Sequence, residues 1–363
     1  MDCPLISRTT DITFPAPPAP TLRLGFDAEA LAANWRALDA LSGRASAGAA
    51  VKADAYGVGA ARVVPVLAAA GCGTFFVAHW TEAAEILPYV PAASIAVLHG
   101  PLTGEESEFA RATGVRPVIN SLEQARRWSS GGGGPCHLMV DTGMNRLGVP
   151  LDQIGDPAIS ALQIDLCMSH LASADEDVSQ NESQLQLFED VRRSIPARRY
   201  SLANSAGIAL GKGYHADLTR PGLALYGGIA RPELAPHIRP VVRPEAALLQ
   251  TRTLRAGDRV GYNALFTADQ PMRIGIISLG YADGYLRCWS CIGTFLWQDR
   301  KARVLGRVSM DLTIVDLAEI PDCHEGEWLT ADYQLPAAAA QSGLSQYELL
   351  TLLGKRFSRQ NGF

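Results

Sequence analysis

The stretch Ala49-Ala50-Val51-Lys52-Ala53-Asp54-Ala55-Tyr56-Gly57-Val58-Gly59 runs from an apolar segment into one lysine and then into a turn rich in small residues and glycine. An apolar run that ends in a glycine-bearing turn reads as a buried strand leaving into a loop. Lys52 then stands at the strand's carboxyl end, facing a crevice rather than bulk water. Partial desolvation there lowers an amine's pKa and frees it to attack a carbonyl. Taken alone, the same residue reads more simply as a lysine that snorkels from a strand end to the surface. The rest of the chain has to decide.

Outward from this stretch the same unit recurs. Short apolar runs at 49–51, 75–78, 95–99, 115–120, 137–141, 164–170, 199–205 and 218–226 alternate with helical segments at 60–70, 81–87, 105–113, 121–128 and 183–195. Strands alternating with helices in this number predict an α/β fold, a parallel (β/α)8 TIM barrel. A doubly wound open sheet shares the alternation and is the structural alternative. Upstream, Asp27 is an N-cap for a helix that carries Leu31, Trp35 and Leu38 on one face. Residues 1–20 read as an N-terminal arm whose end, Pro15-Ala16-Pro17-Pro18-Ala19-Pro20, is an extended, polyproline-like spacer.

After about Ile238 the texture changes. Runs at 241–254, 259–262, 273–279, 294–296, 302–305 and 312–316 follow one another with no helices between them. This predicts a barrel over 21–237 and a mainly-β C-terminal domain over 238–363. One helix closes the second domain, with the capping box Ser345-Gln346-Tyr347-Glu348 and an end at Gly354. The alternating stretch at 21–26 is an extra strand, available to the β domain rather than to the barrel.

With 363 residues, 47% hydrophobic and 19% charged, the chain has ordinary globular composition and length enough for two domains. A net charge of −5 without basic runs gives no electrostatic case for nucleic acid or a membrane surface. No apolar stretch approaches bilayer length, and Met1-Asp2-Cys3-Pro4 does not open a secretion signal, so a cytoplasmic protein is expected. The 7 cysteines are odd in number and scattered, which is no disulfide framework. Cys288-Trp289-Ser290-Cys291 has the spacing of half a zinc clip, but no second pair follows, and no metal is expected.

In a barrel, reactive groups sit at the carboxyl ends of the strands. Besides the Lys52 stretch, those ends read Asp141-Thr142-Gly143-Met144-Asn145-Arg146-Leu147-Gly148, Met168-Ser169-His170-Leu171-Ala172, Leu202-Ala203-Asn204-Ser205-Ala206 and Thr219-Arg220-Pro221-Gly222-Leu223-Ala224-Leu225-Tyr226-Gly227. The second half adds Val260-Gly261-Tyr262-Asn263, Gly280-Tyr281-Ala282-Asp283-Gly284-Tyr285-Leu286-Arg287 and Gly306-Arg307-Val308-Ser309-Met310-Asp311. In order and spacing these blocks resemble those of the alanine racemase family, the fold-type III enzymes that depend on pyridoxal 5'-phosphate (PLP). The resemblance covers nearly the whole chain after Thr21.

It implies an amino-acid racemase, an isomerase that interconverts L- and D-alanine with two bases. Lys52 is then the lysine that holds PLP and the base on one face, and Tyr262 is the base on the other. A phenol of ordinary pKa near 10 is a poor base, and the resemblance supplies His170 and Arg287 as its support, with His170 also against the cofactor ring. Ser205, Tyr56 and the backbone amides of Gly222 and Leu223 match the family's phosphate ligands, with Asn204 among the cofactor-binding residues. Arg220 falls at the pyridine nitrogen; a permanently cationic group there disfavours protonation of that nitrogen and weakens the electron sink. That suits racemisation over transamination.

Arg146 matches the arginine that fixes the substrate carboxylate, helped by the backbone at Met310, with Asp311 in support and Tyr281 at the substrate entrance. In the family Tyr262 and Met310 come from the partner subunit, which implies a head-to-tail homodimer with shared active sites. The resemblance implies a role in supplying D-alanine for cell-wall peptide or in consuming it catabolically.

Three positions depart from the family pattern. Met139 stands where several members carry a carbamylated lysine, Ser309 where cysteine is common, and around Lys355 no C-terminal tyrosine is found for the phosphate. The first two make a racemase preferring serine, or several small amino acids, the nearest alternative. A non-catalytic PLP-binding or carrier protein would lack the β domain and its second base. A decarboxylase of this fold type would carry a nucleophilic cysteine block in the β domain. A metal-dependent barrel would show paired histidines, whereas His79, His99 and His170 fall singly.

Overall fold

The computed structural model describes residues 16 and 18–359, so the arm expected over 1–20 lies mostly outside the described residues. Asp27 Oδ1 accepts from Ala30 N–H (2.8 Å) and starts helix Ala28–Leu41, whose Leu31, Trp35 and Leu38 are buried on one face as the spacing predicts. The Trp35 indole donates to Ala47 O (3.2 Å) and fixes this helix against the first barrel strand.

That strand changes neighbours at Gly48. Ser46–Ala47 pairs in parallel with Leu218–Thr219, and Ala49–Ala50 pairs with Phe75–Val77. A Cβ on Gly48 would lie 3.0 Å from both the Phe76 ring and Thr74 O, so the switch needs glycine. The parallel order continues through Ile95–Val97, Arg116–Ile119, Pro135–Asp141, Gln163–Met168 and Arg199–Ser201. The ring closes where Asp217 N–H donates to Tyr200 O (3.0 Å) and Arg220 N–H to Ala203 O (2.8 Å). Phe76, Ala96, Val118, Leu166, Met168 and Leu218 pack together as a core cluster apart from the helix-facing one. The barrel is therefore the fold, and each apolar run contains a strand.

The elements differ from the expectation in extent. The run at 218–226 holds only Leu218–Thr219 as strand and then a 3-10 turn, Leu223–Tyr226, because its apolar residues are buried in a turn. The helix expected at 183–195 is Ser179–Ser194; its first turn is polar, so no apolar periodicity announces it.

The C-terminal domain is an antiparallel sheet ordered Arg300–Arg303, Thr294–Trp297, Trp328–Ala331, Val242–Leu254, Met272–Ile277 and Thr313–Asp316. Leu22–Phe26 joins it, pairing antiparallel with the long strand from Leu22↔Ala246 to Phe26↔Val242. Strand Trp328–Ala331 went unread because its inward positions, Leu329 and Ala331, are too few to show alternation. Two helices, not one, close the domain. Leu335–Ser342 precedes Gln346–Thr351, and the second ends at Leu352 rather than at Gly354. Its capping box is real: Ser345 Oγ accepts from Glu348 N–H (3.2 Å) and Glu348 Oε2 accepts from Ser345 N–H (2.9 Å).

Candidate active site

Strand Ala49–Ala50 delivers Lys52 into a turn of unusual handedness. Ala53, Asp54, Ala55 and Tyr56 have φ of 54°, 52°, 52° and 58°, a region that costs an L-residue about 1–2 kcal/mol each. Fixed acceptors hold it there. Glu82 takes Ala53 N–H on Oε1 (2.6 Å) and Ala78 N–H on Oε2 (2.7 Å), Asp54 Oδ1 takes Ala60 N–H (2.7 Å), and Gly57 N–H closes onto Ala53 O (2.8 Å). The sequence indicated a loop after Lys52 but not its hand, since alanine has no preference for left-handed backbone.

A cavity of about 700 Å³ opens at the carboxyl end of the barrel, and Lys52 lines it. So do Tyr56, Arg146, His170, Asn204, Ser205, Arg220, Gly222 and Leu223. Every barrel residue singled out in the sequence is thus in one place. Burial lowers the Lys52 amine from its ordinary pKa and the Arg146 charge lowers it further, while Glu82 opposes them. A larger share of Lys52 is therefore the neutral, nucleophilic amine.

Arg220 is buried under the ring of strand ends. It donates to Ser169 O (2.6 Å), to Ser201 Oγ and toward His170 Nδ1 (3.4 Å). Burial pulls its pKa down to about 10, which still leaves it cationic at neutral pH. Because a guanidinium only donates, His170 Nδ1 is the accepting nitrogen and the neutral ring carries its proton on Nε2. Burial, and then the charges of Arg220, Arg146 and Lys52, push His170 down to about 3. Within the barrel wall, burial likewise pushes His137 down to about 4, and among the described residues its Nδ1 has no hydrogen-bond partner.

These two histidines predict an acid-sensitive fold. Both are neutral when folded and take up a proton when the chain opens. Stability from this source is complete above the ordinary histidine pKa of about 6.5 and is lost as pH falls through it toward the folded values. Each contributes a slope of up to about 1.4 kcal/mol per pH unit in that window. Urea unfolding midpoints at pH 7 and pH 5.5 should differ clearly; equal midpoints would contradict it.

Ser205 begins helix Ser205–Ala209, with Asn204 Oδ1 accepting from Gly207 N–H (2.9 Å) as N-cap. Ser205 Oγ in turn accepts from Gly222 N–H (2.9 Å) and Ala224 N–H (3.3 Å). The hydroxyl, the amides and Tyr56 so converge, and there is no room for a side chain at the centre. A Cβ on Gly222 would lie 2.2 Å from Tyr56 Oη. Gly222→Ala must therefore move Tyr56, and the affinity for PLP should fall by about tenfold or more, an energy of about 1.4 kcal/mol. Titration of the apoenzyme with PLP measures it; unchanged affinity would remove Gly222 from the cradle.

The remaining residues singled out lie on the β domain and do not line this cavity. Tyr262 sits in the 3-10 turn Tyr262–Ala264, not at the end of a strand, and is 67% exposed. Met310 is 52% exposed, and Arg287 lies over the Tyr281 ring at 5.0 Å. Asp311 accepts from Arg356 (2.7 Å). Gly280 lets the Tyr281 and Met310 loops touch, since a Cβ there would meet Met310 O at 2.3 Å.

The sequence reading passed over Glu82 and Tyr347, which also line the cavity. Glu82 stands in the first turn of helix Trp80–Ile86, where a carboxylate is ordinary and gives no local sign of a second task. Tyr347 was read only as part of a capping box, yet its ring stands 6.3 Å from that of Tyr56, which stacks on Tyr226 at 4.8 Å. Met139, at the carbamate position, is a cavity-lining apolar residue. Among the described residues the Arg146 guanidinium makes no hydrogen bond; only its backbone N–H does, to Asp141 Oδ2 (3.1 Å).

Comparison with known proteins agrees with this geometry. The family described as "Alanine racemase, N-terminal domain" matches residues 26–230, and "Alanine racemase, C-terminal domain" matches residues 241–361. An alanine racemase of Acidiphilium cryptum is 44% identical, over 94% of this chain and 98% of its own length. One from Methylobacterium nodulans is 43% identical over 93% and 95%. Among solved structures, alanine racemase from Bartonella henselae with covalently bound pyridoxal phosphate superposes with a TM-score of 0.85 at 36% identity, covering 94% of this chain and 99% of that one. With both halves matched end to end, and the barrel's residues gathered at one cavity, the chain belongs to the alanine racemase family.

Proposed function

We propose that this chain interconverts L- and D-alanine with PLP held at Lys52, and that the active unit is a homodimer whose sites are shared. The observation that carries the reading is the cavity itself. One partly desolvated lysine, two arginines and a hydroxyl-and-amide cradle too tight for a Cβ line a single space at the mouth of the barrel.

The residues present fit the cofactor. Ser205, Tyr56 and the amides of Gly222 and Leu223 would hold its phosphate, and Tyr347, in the cavity wall beside Tyr56, would add the phenol that is absent around Lys355. Arg220 would lie along the ring nitrogen and keep it unprotonated. PLP, when bound, supplies the conjugated ring that makes the substrate's Cα–H acidic. The protein's own residues then do the rest. Lys52 Nζ takes or returns the Cα proton on one face. Tyr262 Oη, supplied by a second copy, does so on the other, which gives purpose to a phenol exposed to solvent in a single chain. Arg146 binds the carboxylate and sets which faces the two bases meet.

Met139 leaves Arg146 without the usual brace, so substrate choice is the sharpest test of the reading. Racemisation should be measured over a panel of amino acids with the PLP-loaded protein. L-Alanine turning over fastest is the expected result; serine clearly ahead would replace alanine as the substrate.

A further inference from the structure

The loops that carry Tyr281 and Met310 are tied to one side chain outside both of them. Arg356 donates from Nε and Nη2 to Asp283 (2.7 and 2.9 Å) and from Nη1 to Asp311 (2.7 Å). Asp283 is 1% exposed and also accepts from Gly280 N–H (3.1 Å), so one arm of the fork ends on a fixed, buried carboxylate. Tyr281 N–H donates to Ser309 O (3.0 Å) and Ala282 N–H to Met310 O (3.0 Å). The two loops and the guanidinium are therefore one unit. A planar fork with two donor edges can hold two carboxylates at a set angle, which a lysine cannot.

We infer that Arg356 is a positioning residue of the racemase, locking the Tyr281 and Met310–Asp311 loops in the shape that the partner subunit's cavity receives. The inference rests on the shared-site reading above. It also has a competitor within the chain. The segment bearing Arg356 follows helix Gln346–Thr351, whose Tyr347, Glu348 and Thr351 line the cavity of the same chain. Arg356 could therefore act on its own cavity through that helix, or on the partner's through the loops. The direct contacts are all to the loops.

Mixed dimers separate the two. R356Q homodimers should bind PLP normally and lose about 10²-fold in kcat/KM for alanine, the scale of a misplaced substrate contact. In a K52A/R356Q heterodimer, one site joins an intact Lys52 to loops supported by an intact Arg356. It should recover about half the wild-type turnover per dimer, one sound site of the pair. A general defect of the R356Q chain would not be cured this way, because the rescued site uses that chain's barrel.

A K52A/Y262F heterodimer serves as the control for shared sites. If it recovers activity and K52A/R356Q does not, Arg356 acts within its own chain and the inference fails. If K52A/Y262F does not recover, the shared-site reading fails and takes the inference with it. Wild-type activity in the R356Q homodimer would also overturn it. If R356Q does not assemble, Asp311→Asn cuts only the exposed arm of the clamp and should show the same loss and the same rescue; absence of either overturns the inference.

Discussion

Lys52→Ala is expected to abolish racemisation and to leave the protein colourless when PLP is added. The loss should be on the order of 10⁴-fold or more, because the proposed roles give one side chain two tasks that are each worth several powers of ten. Among the described residues Lys52 is the only lysine in the cavity wall, so no neighbour there could take over the proposed covalent attachment. The residues after Lys52 are wound left-handed and clamped by Glu82 and Asp54, so the amine's origin is fixed while its tip reaches the cavity. The variant should stay folded, since among the described residues the Lys52 side chain makes no hydrogen bond and the turn is held by Glu82 and Asp54. Absorbance in the visible band of lysine-bound PLP reads the attachment, and polarimetry of L-alanine reads the turnover. A coloured, active K52A protein would refute the assignment of both roles.

Tyr262→Phe carries the second largest effect. Removing one hydroxyl takes away the proposed proton carrier of the second face, and general acid–base catalysis of this kind contributes about 10²–10⁴-fold. The overall kcat/KM must fall equally in both directions, because the enantiomers have equal free energy and the ratio of the two constants is fixed. Binding of PLP should be untouched, since Tyr262 lies outside the cavity that holds it within the chain. Stability should change little, because the side chain is 67% exposed and buries almost no apolar surface that the substitution could remove. A Y262F protein that racemises at the wild-type rate would mean that another group serves the second face.

The barrel was legible because its strands end as strands in such folds do. Short apolar runs recur along the chain, and the polar or glycine-bearing stretches at or just after their strands carry Lys52, Arg146, His170, Ser205 and Arg220, which meet at the cavity. What could not be read had no local signal. The left-handed run from Ala53 to Tyr56 depends on acceptors supplied by Glu82, distant in sequence. Strand Trp328–Ala331 is too short for its alternation to stand out, and Ser179 begins a helix with a purely polar turn. Tyr347 sits inside the Ser345–Glu348 capping box, which is the only local signal there, and its ring reaches the cavity only through the fold. The partner-facing role proposed for Tyr262 and Met310 rests on family resemblance, since nothing in one chain's pattern tells a side chain that waits for a second copy from one that is merely exposed.

The central claim is that two different groups, Lys52 and Tyr262, serve opposite faces of the substrate. It is tested most directly by following deuterium entry at Cα from D2O into each pure enantiomer of alanine on the Y262F protein. The account predicts that exchange without inversion persists for the enantiomer whose Cα–H faces Lys52 and collapses for the other. Exchange rates that fall alike for both enantiomers would contradict it and point to a single base for both faces.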